Sequence, residues 1–410
     1  MLRFEDALAR LLALAAPTLE AEQVAIEDAD GRVLATDLVA GHDLPPFSYS
    51  SMDGYAIQTR DLEGEPPYRL PVRGESKTGV VPAALASGTT MRIFTGAKIP
   101  EGADAVVMQE KVVREGDIAI FAGAATPRSS QNVRRRGDDL AVGSVALRAG
   151  TRLRPAHLSL AASLDLASVP VARRPDVVVL CTGDELRQPG SPAVPGTIPE
   201  SNTVVIRTMA RRAGAIARVL PPTPDERVAT ERAFAAALAE ADVVITIGGV
   251  SVGDHDLVRP ALEAVGVTLD FWRVALKPGK PLAVGTMARP GKRDAIVIGL
   301  PGNPSSAMVT FALFGLPLLR ALQGDPRPFP ATARARITRA FTHDLGRLEL
   351  ARATLGRDER GLTVTPLGNQ ASGAVTTMAE ADALMMVPSD SDGLAANDEV
   401  DVLALADLGF

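Results

Sequence analysis

Val243-Val244-Ile245-Thr246-Ile247-Gly248-Gly249-Val250-Ser251-Val252-Gly253-Asp254-His255-Asp256 decides the fold of this chain. A short, continuous, β-branched run reads as a strand buried on both faces, the habit of a parallel sheet covered by helices. The glycines that follow permit backbone conformations closed to other residues and let main-chain N–H groups approach a ligand. A helical pattern over 257–264 comes next, and the positive end of its dipole suits a phosphate. A tight turn with no ligand is the plainer alternative. Asp256 tilts the balance, because a carboxylate beside an anion site needs a cation between them.

The neighbouring segments repeat the pattern. Val177-Val178-Val179-Leu180 ends in Thr182-Gly183-Asp184-Glu185, and helices are predicted over 201–213, with Asn202 near the start, and 225–239. Val219-Leu220 is a short strand, and the strand over 295–298 runs into Gly299-Leu300-Pro301-Gly302-Asn303-Pro304-Ser305-Ser306. Alternating strands and helices predict a parallel, doubly covered α/β sheet whose ligands sit at the strands' carboxyl ends. Those ends carry 183–185, 248–256 and 300–304. Two prolines stiffen the last loop, and Ser305 is placed to cap a helix over 306–314. Between the strands, Lys277-Pro278-Gly279-Lys280-Pro281, preceded by Arg273, sets three cations around one rigid turn. Solvated surface lysines are the ordinary alternative, but this spacing suits a compact dianion or a phosphate.

The flanks differ in texture. An amphipathic helix is predicted from Phe4 to Leu14, stopped by Pro17, with short strands over 24–39. All-β character runs from Pro45 to Ala149, and a second helix over 155–166 follows. Inside the β part, Asp53 lies in Ser51-Met52-Asp53-Gly54-Tyr55-Ala56, Thr95 in Phe94-Thr95-Gly96-Ala97, and Arg134 and Asp139 in the mixed run 132–139. Each alone reads as a turn or a solvated face. Pro326-Arg327-Pro328-Phe329-Pro330 is a linker into a small terminal β-domain, with a strand over 398–403.

Composition narrows the function. A chain of 410 residues is expected to hold several domains. Aromatics make up only 4%, so the cores must be built from Ala, Val, Leu and Ile. A net charge of −6 offers no basic face for nucleic acid and no polybasic membrane patch. One cysteine, Cys181, permits no internal disulfide or thiolate zinc cluster and reads as core in a reducing compartment. His42, His157, His255 and His343 lack metal-ligand spacing. No phosphate-loop lysine motif and no Gly-x-Ser-x-Gly elbow occurs. The acidic start, with Glu5 and Asp6, is unlike a secretory leader, and no apolar run approaches membrane-spanning length. The expectation is a soluble, cytoplasmic protein.

Together, Asp43-Leu44-Pro45-Pro46-Phe47, the Asp53 and Thr95 segments, 132–139, Thr182-Gly183-Asp184-Glu185-Leu186, 248–256, 277–281 and 300–304 resemble the molybdopterin molybdenumtransferase family, the bacterial MoeA proteins and the gephyrin E-domain. The likeness runs nearly end to end. It implies a multidomain α/β plus β fold: an elongated dimerisation domain (1–45 and 146–174), an inserted β-domain (46–145), a molybdopterin-binding doubly wound α/β domain (175–327) and a C-terminal small β-barrel (328–410). It implies a homodimer whose active site lies between the α/β domain and the inserted β-domain of the other subunit. The implied reaction takes adenylylated molybdopterin and molybdate to molybdenum cofactor and AMP. Molybdopterin adenylyltransferase and molybdoenzyme maturation proteins are the implied protein partners.

Carried over residue by residue, the resemblance implies that Arg273, Lys277, Lys280 and Ser372 hold molybdate. Magnesium would sit on Glu185 and Asp256, mediating between acids and the substrate's phosphates. Asp53, Thr95, Arg134, Asp139 and Asp225 match other active-site positions, with Asp53 or Asp225 orienting water or taking a proton. Thr182, Gly183, Asn202, Gly248, Gly249, Ser251, Gly253, Gly302 and Asn303 line the substrate, and Pro301 and Pro304 shape its pocket. The chain departs from the family pattern at Ser48-Tyr49, Glu200-Ser201-Asn202, Arg273 and Ala371-Ser372-Gly373. Rival readings are molybdopterin adenylyltransferase, whose phosphate loop typically reads Gly-Gly-Thr-Gly, and a non-catalytic scaffold. Tungstate, nearly isosteric with molybdate, is an alternative oxyanion.

Overall fold

The computed structural model describes residues 1–16, 20–62, 64–123, 127–250 and 257–410, with the main chain alone at Trp272. The strand Val243–Ile247 stands third in a six-stranded sheet ordered Ile216–Val219, Asp176–Cys181, Val243–Ile247, Ala295–Leu300, Pro281–Met287, Thr268–Arg273. The first four strands are parallel. Pro281–Met287 pairs antiparallel with both its neighbours, which corrects the expectation of a parallel sheet at one edge. No helix separates 268 from 300, and short connections can join only antiparallel neighbours.

Strand side chains alternate between two cores, because successive residues point to opposite faces. Val177, Val179, Ile245, Ile247, Ile296 and Ile298 enter one core. Val178, Leu180, Val244 and Val297 enter the other, beneath the helices Arg227–Glu240 and Val258–Ala264. The sheet is therefore covered on both faces, as expected of its texture.

The first face carries the helix Pro304–Leu322, which is longer than the span 306–314 predicted for it. It starts one residue before Ser305, with Asn303 at the cap position, so Ser305 lies inside the helix. It also runs through Pro317, directly after a π-helical turn, Phe311–Gly315. That wider turn breaks the i-to-i−4 ladder locally, so a residue with no N–H costs less there. Among the described residues this helix alone is long and apolar enough to cross a membrane, yet 89% of its apolar window is buried inside the molecule. It is a core helix. Phe311, Phe314, Leu318 and Leu319 are fully buried, and each such side chain contributes about 1.5–3 kcal/mol of burial free energy.

The opening helix, Phe4–Ala13, joins the same core. The Phe4 ring lies 5.6 Å from Phe314 and 5.9 Å from Phe329. Its apolar stripe, Phe4, Ala7 and Leu11, packs into the core shared with the α/β helices. Further on, Ala21–Ala25 pairs with Ser168–Ala172, and Leu38–Val39 with Val145–Leu147. These flanks close around a separate six-stranded sheet ordered Ala105–Met108, Gly54–Ile57, Thr90–Ile93, Tyr68–Ser76, Ile118–Phe121, Val112–Glu115. The C-terminal strands Leu348–Asp358, Gly361–Pro366, Ala333–Ile337, Glu399–Ala404 and Ala383–Val387 pair in that order and close into a five-stranded barrel. A short strand, Leu276–Lys277, leaves the α/β part and adds to it in parallel, Lys277 opposite Glu349.

Candidate active site

Three loops meet at the carboxyl ends of the parallel strands. Thr182 N–H donates to Ile247 (3.3 Å) and Gly248 N–H to Leu300 (3.1 Å), tying each loop to the next strand. Gly248 and Gly249 both have left-handed φ values, +88° and +61°. A Cβ on Gly249 would stand 2.4 Å from Val258 Cγ2 and 3.2 Å from Thr182 Oγ1, so only glycine fits. Gly302 approaches Gly248 closely enough that its Cβ would lie 3.6 Å from the Gly248 Cα. Asn202, on the first turn of Asn202–Arg212, donates from Nδ2 to the Gly302 carbonyl at 2.7 Å. Its Oδ1 is buried without a hydrogen-bond partner among the described residues. A cavity of about 830 Å³ opens beside Asn202, walled by Val205, Met308, Met378, Leu405 and Phe410.

The rim of this site is acidic. The Glu185 carboxylate folds over Gly183, where a Cβ would fall 2.5 Å from Glu185 Oε2. Asp184 and Asp225 exchange backbone-to-carboxylate bonds of 3.4 and 3.1 Å, which brings Asp225 to the strand ends. Ser251, Gly253 and Asp256 lie outside the described residues. Among the described residues, no group of three or more His, Cys, Asp or Glu side chains is placed to hold a metal ion.

A cationic group lies at the seam between the α/β part and the barrel. Arg273 stands opposite Pro281, and Val274 N–H donates to Lys280 at 3.1 Å, so Arg273, Lys277 and Lys280 ring one turn. Gly279 has φ +108°, and a Cβ there would reach within 2.4 Å of Thr310 Oγ1, pressing the turn onto the helix that begins at Pro304. Lys277 Nζ lies 3.2 Å from Glu349 and 3.5 Å from Asp344, whereas Arg273 and Lys280 are exposed. From the other side, Ser372 Oγ accepts from Asn303 Nδ2 at 3.0 Å, and the Ser372 carbonyl accepts from Ser305 N–H at 3.0 Å. Pro301 and Pro304 bracket this junction.

Sequence reasoning missed Arg352, which is fully buried beneath the Ser372 loop. One of its nitrogens donates to the carbonyls of Asn369 (3.0 Å) and Ala371 (3.1 Å). Nε and Nη1 have no partner among the described residues. Burial holds this guanidinium below the ordinary arginine pKa, although nearby Glu349 opposes the shift. The signal was present: a lone cation in Leu350-Ala351-Arg352-Ala353, where an inward strand position should be apolar.

The remaining predicted residues form a second group in the N-terminal β part. Asp53 Oδ1 accepts the Thr95 N–H at 2.7 Å and the Thr95 hydroxyl at 2.8 Å. Those two bonds, the backbone one first, hold the Asp53 carboxyl below the usual aspartate range, with Arg92 assisting. Arg134 pairs with Asp139, which raises the Arg134 pKa. The pairing of Tyr49–Ser50 with Val133–Arg134, and the Gly96 N–H on the Ser50 carbonyl (2.8 Å), place both pairs around one short strand. Asp43 is fixed by the Val142 N–H (2.8 Å) and Arg136 (2.5 Å), so the Asp43-to-Phe47 motif has a structural use. Among the described residues, no hydrogen bond or ion pair connects Asp53, Thr95, Arg134 or Asp139 with the strand-end loops.

The chain matches three family models: the MoeA N-terminal region (domain I and II) over residues 2–164, a probable molybdopterin-binding domain over 178–321, and the MoeA C-terminal region (domain IV) over 334–405. It is 36% identical to a molybdopterin molybdenumtransferase of Haemophilus influenzae, with 98% of each chain covered. It is also 36% identical to the Bacillus subtilis protein of that name, over 94% of this chain and 90% of the other. A molybdopterin biosynthesis moeA protein from Pyrococcus horikoshii superposes with a TM-score of 0.85 at 28% identity, covering 98% and 100% of the two chains. Glycine-lined strand ends, a cationic seam against a closed barrel and these near-complete likenesses agree, and the chain belongs to the molybdopterin molybdenumtransferase family.

Proposed function

We propose that this enzyme inserts molybdenum into molybdopterin, converting adenylylated molybdopterin and molybdate into molybdenum cofactor and AMP. One observation carries the reading: the turn bearing Arg273, Lys277 and Lys280 pairs with the barrel at Glu349, and the barrel's Ser372, in the loop over the buried Arg352, is bonded to Asn303 of the strand-end loops. Molybdate is a compact dianion. A guanidinium with two unpaired buried donors, a serine hydroxyl and a ring of cations suit it, because charge-assisted bonds are strongest where water is excluded. Tungstate fits the same group.

The substrate's diphosphate lies along the N–H groups of Gly249, Gly302 and Asn303, with Thr182 and Asn202 bordering it. Asp225 and Asp53 are the two carboxylates available to orient the water that releases AMP, or to take its proton. The Glu185 carboxylate has no hydrogen bond among the described residues, so its oxygens are open to a hard cation, and Glu185 with Asp256 would hold magnesium. The metal supplies charge neutralisation at the phosphate oxygens as AMP leaves.

Among the described residues, Asp53, Thr95, Arg134 and Asp139 make no bond to the strand ends within one chain. Their use in catalysis requires a homodimer in which the partner subunit brings that group to the cleft. Working partners are adenylylated molybdopterin delivered by its adenylyltransferase, and the maturation proteins that take up the cofactor, all in the reducing cytoplasm that a lone buried Cys181 suits. The test is purified protein with adenylylated molybdopterin and molybdate, scored by AMP release and by reconstitution of an apo-molybdoenzyme. Molybdate-dependent AMP release is expected. ATP-dependent adenylylation of molybdopterin without AMP release would overturn the assignment in favour of the adenylyltransferase reading.

A further inference from the structure

The cation nearest the barrel is held by a pair that no sequence motif drew attention to. Glu349 exposes only 4% of its side chain, and His343 exposes none. His343 Nδ1 lies 2.6 Å from Glu349 Oε2, and Lys277 Nζ lies 3.2 Å from the same oxygen. A carboxylate has only acceptors, so His343 must donate, and Glu349 is gripped from behind by the ring and from in front by the ammonium. His343 Nε2 has no partner among the described residues, so the ring serves Glu349 alone. Lys277 is 35% exposed and keeps N–H groups to spare for an anion.

We infer that Glu349, braced by His343, is a positioning residue: it fixes the Lys277 ammonium at the mouth of the oxyanion site. A lysine on a flexible four-carbon stem loses rotamer entropy when held, so an anion meeting a loose lysine would bear that cost itself. Strand pairing fixes the Lys277 backbone opposite Glu349, and the ion pair fixes the side chain. The barrel thus contributes to the site twice, by direct donors at Arg352 and Ser372 and by holding a cation that the α/β part supplies. The exposed Asp344, 3.5 Å from Lys277 with 78% of its side chain in solvent, is a weaker second tether.

This inference rests on the insertase reading for its kinetic arm. In Glu349→Gln the half-saturating molybdate concentration should rise about tenfold, as expected for a lost charge-assisted contact, while kcat and affinity for adenylylated molybdopterin stay within about twofold. Glu349→Asp should recover part of the loss. Adding Glu349→Gln to Lys277→Ala should cost nothing further, because one residue acts through the other. An unchanged molybdate dependence in a folded Glu349→Gln protein, or additive losses in the double variant, would overturn the inference. A separate arm follows the Lys277 side-chain ammonium by NMR in the full protein. Its order should fall in Glu349→Gln and persist in Asp344→Asn, and equal order in all three proteins sinks the positioning role. Wild-type protein that releases no AMP defeats the insertase reading, and the NMR arm still decides this one.

Discussion

The barrel seam and the Asp53–Thr95 group are both polar, and both are built from residues far apart in sequence, yet they are finished to different degrees. At the seam, a turn carrying three cations pairs with the barrel, and a serine of the barrel bonds the strand-end loop, all within one chain. Around Asp53, the strong bonds stay within the N-terminal β part, and among the described residues none reaches the strand ends. A site finished by one chain should fail when one chain is altered. A site finished by two can be repaired by mixing.

The largest expected effect tests the seam. Lys277→Ala should lower kcat/KM for molybdate-dependent AMP release by roughly 100-fold or more, the scale for removing one preorganised charge donor. A loss under threefold would remove Lys277 from the site. Next comes the contrast itself. Asp53→Asn and Lys277→Ala proteins should each be inactive, and equal mixing after subunit exchange should restore about a quarter of wild-type activity, the value for one intact site per mixed dimer. No recovery, with mixed dimers demonstrated, would place both residues in a cleft of the same chain. Smaller still, Arg352→Lys should raise the molybdate KM by about tenfold, because an ammonium cannot reproduce the planar fork. A molybdate KM left at the wild-type value would return Arg352 to a purely structural role.

The smallest effect concerns pH. The Asp53 carboxyl is held below its ordinary value of 3.8 by Thr95, so the stabilisation from those bonds is complete above that value and is lost as pH falls through the lower folded pKa. Thr95→Val removes the hydroxyl bond and keeps the N–H bond. Its Asp53 titration, followed by carboxyl carbon NMR, should move up only part of the way toward 3.8. No movement would assign the whole effect to the backbone.

How much of this was legible in the sequence varied with the locality of the cause. Val243 to Gly249 disclosed a buried strand and its glycine turn, because burial on both faces leaves a continuous apolar run and close approach demands glycine. The helix from Pro304 was read too short, because Pro317 normally stops a helix and nothing local announces a π-helical turn. Antiparallel strands at one edge went unseen, since hairpin and crossover differ by what lies between strands. Lys277 and Lys280 stood out as two cations in one rigid turn, but Glu349 and Arg352 did not. Each looks like an ordinary charge in a strand until the fold buries both faces of it, Glu349 on the side of Ala351 and Ala353 and Arg352 on the side of Leu350, against the α/β part.

The helix from Pro304 to Leu322 carries a consequence for how the molecule comes apart. Its side chains sit in one continuous core with the opening helix, one face of the α/β sheet, and Leu350, Leu384 and Leu403 of the barrel. The inserted β part keeps its own small cores around Tyr55 and Ile93. Heating should therefore dissolve the barrel seam and the strand-end loops in one cooperative step, while the Asp53 sheet melts on its own schedule. Two calorimetric transitions are expected, and an oxyanion that binds the seam should displace only one of them.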